Sequence, residues 1–523
     1  MARPEVEGYD LVVHTDVMDS RQQVDMCASC HSRRAEIGDY NHQEDLLEKM
    51  VPSLLEEGLY HADGQILEEV YVWGSFVQSK MYQNEVRCGD CHDAHSLALH
   101  EEGNALCLQC HQAASYDVYE HHFHQKIYEG QPSDGALCIK CHMPEQPFMV
   151  IDDRADHSLR VPRPDMSLET GAPNACSQSG CHNDQTVEWS VEAYTDWYGK
   201  ARKPHYGMIF SAARAGEASA ENGLQLLVED PLYPTIVRAT ALSALQGYPS
   251  EQTEIVMRRA LQDEEALLRH TAATAITTRT PEELVELLGP LLFDSVRAVR
   301  IRAASLLAGT GREYFKPYQR EALDKELAEY VDAMKASLDF AASGLNLGNL
   351  YSDLREPAEA ERYYRAAIEV DGLFFPAKLN LAVLLSQQGE TTEPEKLLRE
   401  VLGAYPEQYE ASYSLALLLV GLGRSEEALS FLAQASAGMP QRPRVHYNYG
   451  LLLAQFGSDA IAELALSKAL ALEPQSIDYL YALIDFYARR GRQAEALVLA
   501  ERMIAAHPAN PLGHDIKSAI EGR

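Results

Sequence analysis

Cys88-Gly-Asp-Cys91-His92 and Cys107-Leu-Gln-Cys110-His111 stand close together in the first quarter of a 523-residue chain, and their reading decides the rest. The same C-x-x-C-H pattern precedes them at Cys27-Ala-Ser-Cys30-His31 and follows them at Cys138-Ile-Lys-Cys141-His142. A lengthened form closes the series at Cys176-Ser-Gln-Ser-Gly-Cys181-His182. Two cysteines three apart can each form a thioether to one vinyl group of the same porphyrin, and the histidine that follows then sits under the iron as its proximal ligand. Four intervening residues still close that loop, with a looser turn.

Other uses of paired cysteines do not account for the histidines. Structural zinc needs a second Cys or His pair to complete four ligands and has no need of His directly after the second cysteine. A disulfide framework could use ten cysteines, and a dithiol redox motif would occur once. Histidine is 19 of 523 residues, so its placement after the second cysteine five times in five is not chance. The expectation is five covalently bound haems c. They consume all ten cysteines and leave none for a disulfide or a thiol nucleophile.

The remaining composition narrows the setting. The net charge is −33, which makes nucleic acid and anionic membrane surfaces poor partners. No run of 18 apolar residues occurs, so no transmembrane segment is expected. Covalent haem is attached outside the cytoplasm, so the chain is expected in the periplasm or outside the cell. The opening Met1-Ala-Arg-Pro-Glu-Val-Glu-Gly8 has no apolar signal region, which implies a signal already removed or a segment of a longer product.

The chain reads as mainly α, a haem-organised domain with little regular structure followed by an α-solenoid. Residues 1–204 form the pentahaem domain, with short helices after the motifs, long loops and porphyrins supplying much of the apolar core. Within it the spacing of Leu46, Leu47, Met50, Leu54 and Leu55 predicts a helix over Glu44–Gly58. From 205 to 315 cysteine vanishes. Val237-Arg-Ala-Thr-Ala241, Leu268-Arg-His-Thr-Ala272 and Val299-Arg-Ile-Arg-Ala303 align at a step of 31 residues, resembling short HEAT-like repeats. Residues 316–340 read as a bridging helix. Residues 341–510 hold five repeats of the 34-residue tetratricopeptide (TPR) length, marked by Pro406, Pro440, Pro474 and Pro508 and by Gly389, Gly423, Gly457 and Gly491. Gly suits a left-handed cap after the first helix of each pair, and Pro suits the turn after the second. Residues 511–523 are a cap or a tail.

The sixth position on each iron decides what the haems do. A histidine there gives a low-spin haem that carries electrons, whereas an open position admits substrate. Besides His31, His92, His111, His142 and His182, the first 205 residues hold ten histidines. Five sixth positions could therefore be filled. His61, His95, His122, His124 and His157 lead as distal ligands, and His14, His42 and His121 follow, with His100 and His205 behind them.

Cys27-Ala-Ser-Cys-His-Ser-Arg-Arg34, Gly58-Leu-Tyr-His-Ala-Asp-Gly-Gln-Ile66, Cys88-Gly-Asp-Cys-His-Asp-Ala-His-Ser96, Gly103-Asn-Ala-Leu-Cys107, Cys141-His-Met-Pro144 and Asp156-His-Ser-Leu-Arg-Val-Pro-Arg-Pro-Asp165 together resemble one family. It is that of large bacterial multihaem cytochromes c with C-terminal TPR repeats, distantly related to the hydroxylamine oxidoreductase and pentahaem nitrite reductase superfamily. The resemblance implies His61, His95, His157 and members of the 121–124 cluster as distal ligands. This chain departs from the family in its lengthened last site and in lacking the further C-x-x-C-H sites that members often carry ahead of this segment. Electron transfer through bis-His haems is the leading expectation, with the solenoid docking a redox partner or further copies of the chain, possibilities that include an extracellular filament. The alternative is a nitrite- or hydroxylamine-type reductase with one five-coordinate haem, against which stand the surplus of histidine and the absence of a C-x-x-C-K site. No catalytic residue is assigned.

Overall fold

The computed structural model describes residues 15, 17–38, 44–93, 96, 98–148, 151–178 and 180–522. Among them are 29 α-helices and six strands of two to four residues, so the class is mainly α. The chain divides into two compact units, Met1–Ser337 and Leu338–Arg523.

In the first unit parts of the motifs themselves are helical, and short helices follow the third and fifth at Ala113–Tyr116 and Val187–Tyr198. Cys27–His31 ends the helix Ser20–His31, Cys107 lies in Asn104–Leu108, and Cys138–His142 is itself one helical turn. Cys88 and Cys176 open or occupy single 3₁₀ turns, Cys88–Asp90 and Ala175–Ser177. The first helix is set by a capping box in which Asp19 and Gln22 satisfy each other's backbone N–H groups.

The helix expected over Glu44–Gly58 is not formed. One turn, Leu46–Lys49, gives way to a strand, Met50–Pro52, paired antiparallel with Arg34–Glu36. Pro52 has no N–H to give a helix and biases Val51 before it toward extended backbone. The five apolar residues that suggested the helix are nonetheless all buried.

The helices from Tyr206 to Ala336 pack directly on this haem-motif region. Leu55 N–H donates to Thr240 Oγ1 (3.0 Å), Arg297 N–H to Glu48 Oε1 (3.0 Å), and the Arg214 guanidinium to the carbonyls of Tyr60 and Leu55. The 31-residue step has a physical origin in a ladder of arginines. Arg238 pairs with Asp263 (2.6 Å), Arg269 with Asp294 (2.7 Å) and Arg300 with Glu326 (3.2 Å). Each arginine also donates to a backbone carbonyl preceding its own helix, at Val228, Asp263 and Asp294 respectively. Glu326, on the helix Pro317–Ala336, receives the last arginine.

The second unit is five helix pairs: Ala341–Asp353 with Pro357–Val370, Phe375–Gln387 with Thr392–Ala404, Tyr409–Gly421 with Ser425–Gly438, Pro443–Gln455 with Asp459–Leu472, and Ile477–Arg489 with Gln493–Ala506. Gly389, Gly423, Gly457 and Gly491 all have φ between +72° and +89°, the left-handed turn between the two helices of a pair. Ala360, Ala428, Ala462 and Ala496 are fully buried where paired helices cross, and Pro394 occupies the same register in the second pair. The helix Leu512–Glu521 packs on Gln493–Ala506 and covers the end of the stack.

Candidate functional site

Three histidines outside the motifs face three within them. The ring centroids of His92 and His157 are 6.3 Å apart with planes at 23°, those of His121 and His142 6.2 Å apart at 11°, and those of His124 and His182 6.1 Å apart at 42°. Two imidazoles bonded to opposite sides of one metal, each about 2 Å from it, hold their centroids about 6 Å apart. Among the described residues no group of three or more His, Cys, Asp or Glu side chains converges on a point. Each of these three sets is a pair, which suits an iron whose other four ligands belong to a porphyrin.

Proton positions favour the same use. His142 Nδ1–H donates to Arg160 O (2.8 Å), His157 Nδ1–H to Ala155 O (2.9 Å) and His124 Nδ1–H to His122 O (2.5 Å). A carbonyl on Nδ1 leaves the Nε2 lone pair for a metal. Burial holds His92, His142 and His157 below the usual imidazole range, which keeps them neutral, the state that ligates. The ring of His124 fits against Gly135, where any Cβ would come within 2.3 Å of it. His182 lies on Trp189 (4.7 Å) and His124 beside Trp197 (5.8 Å), both on the helix Val187–Tyr198. The Tyr198 hydroxyl donates to the His121 carbonyl.

Consecutive motifs adjoin one another. The thiols of Cys27 and Cys88 adjoin, as do those of Cys107 and Cys138, and the neighbour pushes Cys88 and Cys138 up. Cys91 feels Cys110, and Cys141, pushed up to about 11 chiefly by burial, feels Cys176 and Cys181. Side-chain amides staple three of the four junctions. Gln23 Oε1 accepts Gly89 N–H (2.7 Å) between the first and second motifs. Asn104 accepts Cys138 N–H (2.9 Å) and donates to Ala136 O between the third and fourth. Gln178 donates to Lys140 O (2.7 Å) and accepts Glu145 N–H between the fourth and fifth. Asn104 falls in the Gly103–Cys107 phrase and Gln178 within the fifth motif, yet in none of the three does the sequence show what the amide will bond.

The other candidates divide. His122 led on sequence and faces no motif histidine among the described residues. Its Nδ1 accepts the His124 N–H (3.2 Å), which leaves the proton on a buried and unpartnered Nε2, the opposite tautomer from His124. His121, ranked behind it, is the one that stacks on His142. Adjacent histidines in one sequence cluster carry no mark of which way each will point. His61 is half-buried and held below the usual imidazole range by burial. His205 is the N-cap of Tyr206–Arg214, its Nδ1 accepting Gly207 N–H (3.0 Å), and His100 Nε2–H donates to Gly89 O (3.0 Å). His14, His42 and His95 lie outside the described residues. His31 and His111 are exposed, and among the described residues neither faces a second imidazole; His111 instead meets the Tyr116 ring at 5.4 Å.

Comparison with known proteins agrees with these two halves. A family model for a doubled CXXCH motif matches residues 82–116, and models for the tetratricopeptide repeat match residues 345–408 and 395–455. The chain thus carries covalently bound haem c and protein-interaction repeats. No curated protein matches it. Solved structures similar to part of the chain include TPR proteins. YrrB, a TPR protein with an unusual peptide-binding site, is 22% identical, covering 36% of this chain and 96% of its own at a TM-score of 0.32. MamA from Desulfovibrio magneticus RS-1 is 20% identical, covering 32% and 96% at 0.31. A thermophilic TPR protein of Thermus thermophilus is 23% identical, covering 35% and 100% at 0.28. Among the described residues no helix is long and apolar enough to cross a membrane.

Proposed function

We propose that the chain is a pentahaem c-type cytochrome that passes electrons along a line of bis-His haems, while its solenoid docks a redox partner or further copies of itself. Cys27 and Cys30, Cys88 and Cys91, Cys107 and Cys110, Cys138 and Cys141, and Cys176 and Cys181 anchor the five porphyrins, with the histidine after each pair as proximal ligand. The observation that carries the reading is the set of three facing imidazole pairs, each made of one motif histidine and one from elsewhere, at 6.1–6.3 Å. His157, His121 and His124 are then distal ligands to the second, fourth and fifth sites. His61 and the histidines outside the described residues supply the rest. Haem contributes one-electron chemistry. The residues of this chain contribute order: the cysteine contacts and the Gln23, Asn104 and Gln178 staples support a line that runs in sequence order from Cys27 to His182.

In this reading residues 1–204 bind the haems, 205–315 are HEAT-like repeats, 316–340 a bridging helix and 341–510 five TPRs, on a chain exported to the periplasm or the cell exterior. Copies assembled end to end would make a filament. A second reading rests on His31 and His111, which are exposed and without a facing imidazole among the described residues: one of their irons would be open, and the chain a reductase of nitrite or hydroxylamine type.

Low-temperature EPR of the oxidised holoprotein tests the two. Only low-spin signals, integrating to five haems, are expected. A stoichiometric high-spin signal would favour the reductase, and nitrite and hydroxylamine turnover would then decide it.

A further inference from the structure

We infer that Arg160 is a positioning residue shared by two axial histidines that serve different irons; this rests on the ligand assignment proposed above. One turn, residues 155–160, presents two carbonyls to two imidazoles. Ala155 O accepts His157 Nδ1–H (2.9 Å) and Arg160 O accepts His142 Nδ1–H (2.8 Å). His157 faces His92 at the second site and His142 faces His121 at the fourth. The turn therefore fixes ring orientation and proton position at two sites that are not neighbours in the line.

The turn does not hold itself. Leu159 has φ +47°, a left-handed conformation that side chains with a Cβ disfavour. The Arg160 side chain spans it. Its Nε donates to Ser158 Oγ (2.8 Å), its Nη1 lies 3.0 Å from Asp63 Oδ2, and its Nη2 lies 3.7 Å from Asp156 Oδ2. Asp156 Oδ1 accepts Ser158 N–H (2.8 Å), and Arg160 N–H donates to the His142 carbonyl (3.0 Å). The three charged side chains are 16%, 4% and 2% exposed for Arg160, Asp63 and Asp156. Asp63 is itself fixed by Gln65 N–H and Nε2, and its carbonyl accepts the Tyr206 hydroxyl (3.0 Å). The guanidinium fork hydrogen-bonds Ser158 and Asp63 and faces Asp156 Oδ2 through charge alone; an ammonium restores the charge without the fork. Removing the cation leaves two carboxylates buried together, and the turn that carries both carbonyls loses its side-chain anchor to Asp63.

The test is EPR and potentiometry on holoprotein carrying Arg160→Met or Arg160→Lys, with His157→Ala alongside. Arg160→Met is expected to shift the g values and midpoint potentials of two haems together and to leave three unmoved, and Arg160→Lys to recover the potentials more fully than the g values. A change at one haem, at none, or at all five overturns the inference. If His157→Ala leaves the low-spin count unchanged, the ligand assignment has failed instead. Should Arg160→Met not yield holoprotein, Asp63→Asn loosens the guanidinium without removing it, and the same pair of shifts, or its absence, decides.

Discussion

Two stretches of this chain solve the same problem by different means. Between Asp93 and Met143 the single buried residue among those described is Ala136, although two complete haem motifs and the whole 121–124 histidine cluster fall there. Between Ala411 and Leu466 nearly every turn of helix contributes a buried apolar side chain, and Ala411, Leu415, Ala416, Leu419, Ala428 and Leu432 are each at most 1% exposed. The solenoid carries its own core and renews it every 34 residues. The motif region carries paired cysteines and histidines at intervals and has little apolar core of its own. A repeat of core residues specifies a fold; a repeat of attachment points specifies a cofactor arrangement.

The largest effect expected from this difference follows removal of the haems. Protein made without haem attachment should lose ordered structure from about Asp93 to Met143, where few side chains can offset the entropy of ordering the backbone. The unit Leu338–Arg523 should survive. Limited proteolysis read by mass spectrometry would place the early cuts in the first stretch and leave a resistant C-terminal fragment. Equal resistance throughout would mean that the motif region folds on protein contacts alone.

The converse perturbation is Leu415→Ala. Leu415 is fully buried in the cluster built from the first four helix pairs, and such truncations cost about 2–5 kcal/mol. The expected outcome is a lower unfolding midpoint for the C-terminal unit by calorimetry, with the haem absorption spectrum unchanged. A shifted haem spectrum would show that the two halves are not independent in this sense.

The contrast also decides what could be read from the residues alone. The TPR pairs were legible because one spacing fixes two roles at once: Gly at the left-handed turn and Pro at the next. The 31-residue step was legible as Arg238, Arg269 and Arg300, though its meaning, an ion-pair ladder closed by Glu326, needs the partners in space. The helix expected over Glu44–Gly58 failed because burial and helical spacing coincide by accident in a turn followed by a strand, and Pro52 was the signal against it. In the motif region the C-x-x-C-H spacing is legible because covalent attachment requires it, and a doubled-motif family model matches it over residues 82–116. His121 against His122, and the staples Gln23, Asn104 and Gln178, are not, since which neighbour points inward depends on contacts far away in sequence.

A moderate effect is expected at His270, in the middle of the arginine ladder. Burial, with the Arg302 guanidinium adding to it, holds this imidazole down to about 4. The folded state therefore binds fewer protons than the unfolded chain between the unfolded imidazole value, about 6.5, and that point. The stabilisation is complete above the unfolded value and is lost as pH falls through this window. Unfolding midpoints of the N-terminal unit measured from pH 7.5 to 4.5 should fall, and His270→Phe should flatten that slope. An unchanged slope would mean that His270 is solvated in the folded protein.

The smallest effect concerns a single turn of the solenoid. Gly423 has φ +76° with nothing within 4 Å of the position a Cβ would take. Gly423→Ala therefore meets no steric clash beyond its own backbone, and the cost is that of placing an L residue in the left-handed region, about 1 kcal/mol. The test is a comparison with Gly348→Ala, where φ is ordinary but the added Cβ would come within 2.3 Å of the Tyr364 ring. Conformational strain in a turn should lower the unfolding midpoint modestly, while overpacking against an aromatic ring between paired helices should lower it more. The reverse order would mean that the turn, not the crossing of the two helices, is what holds each repeat in register.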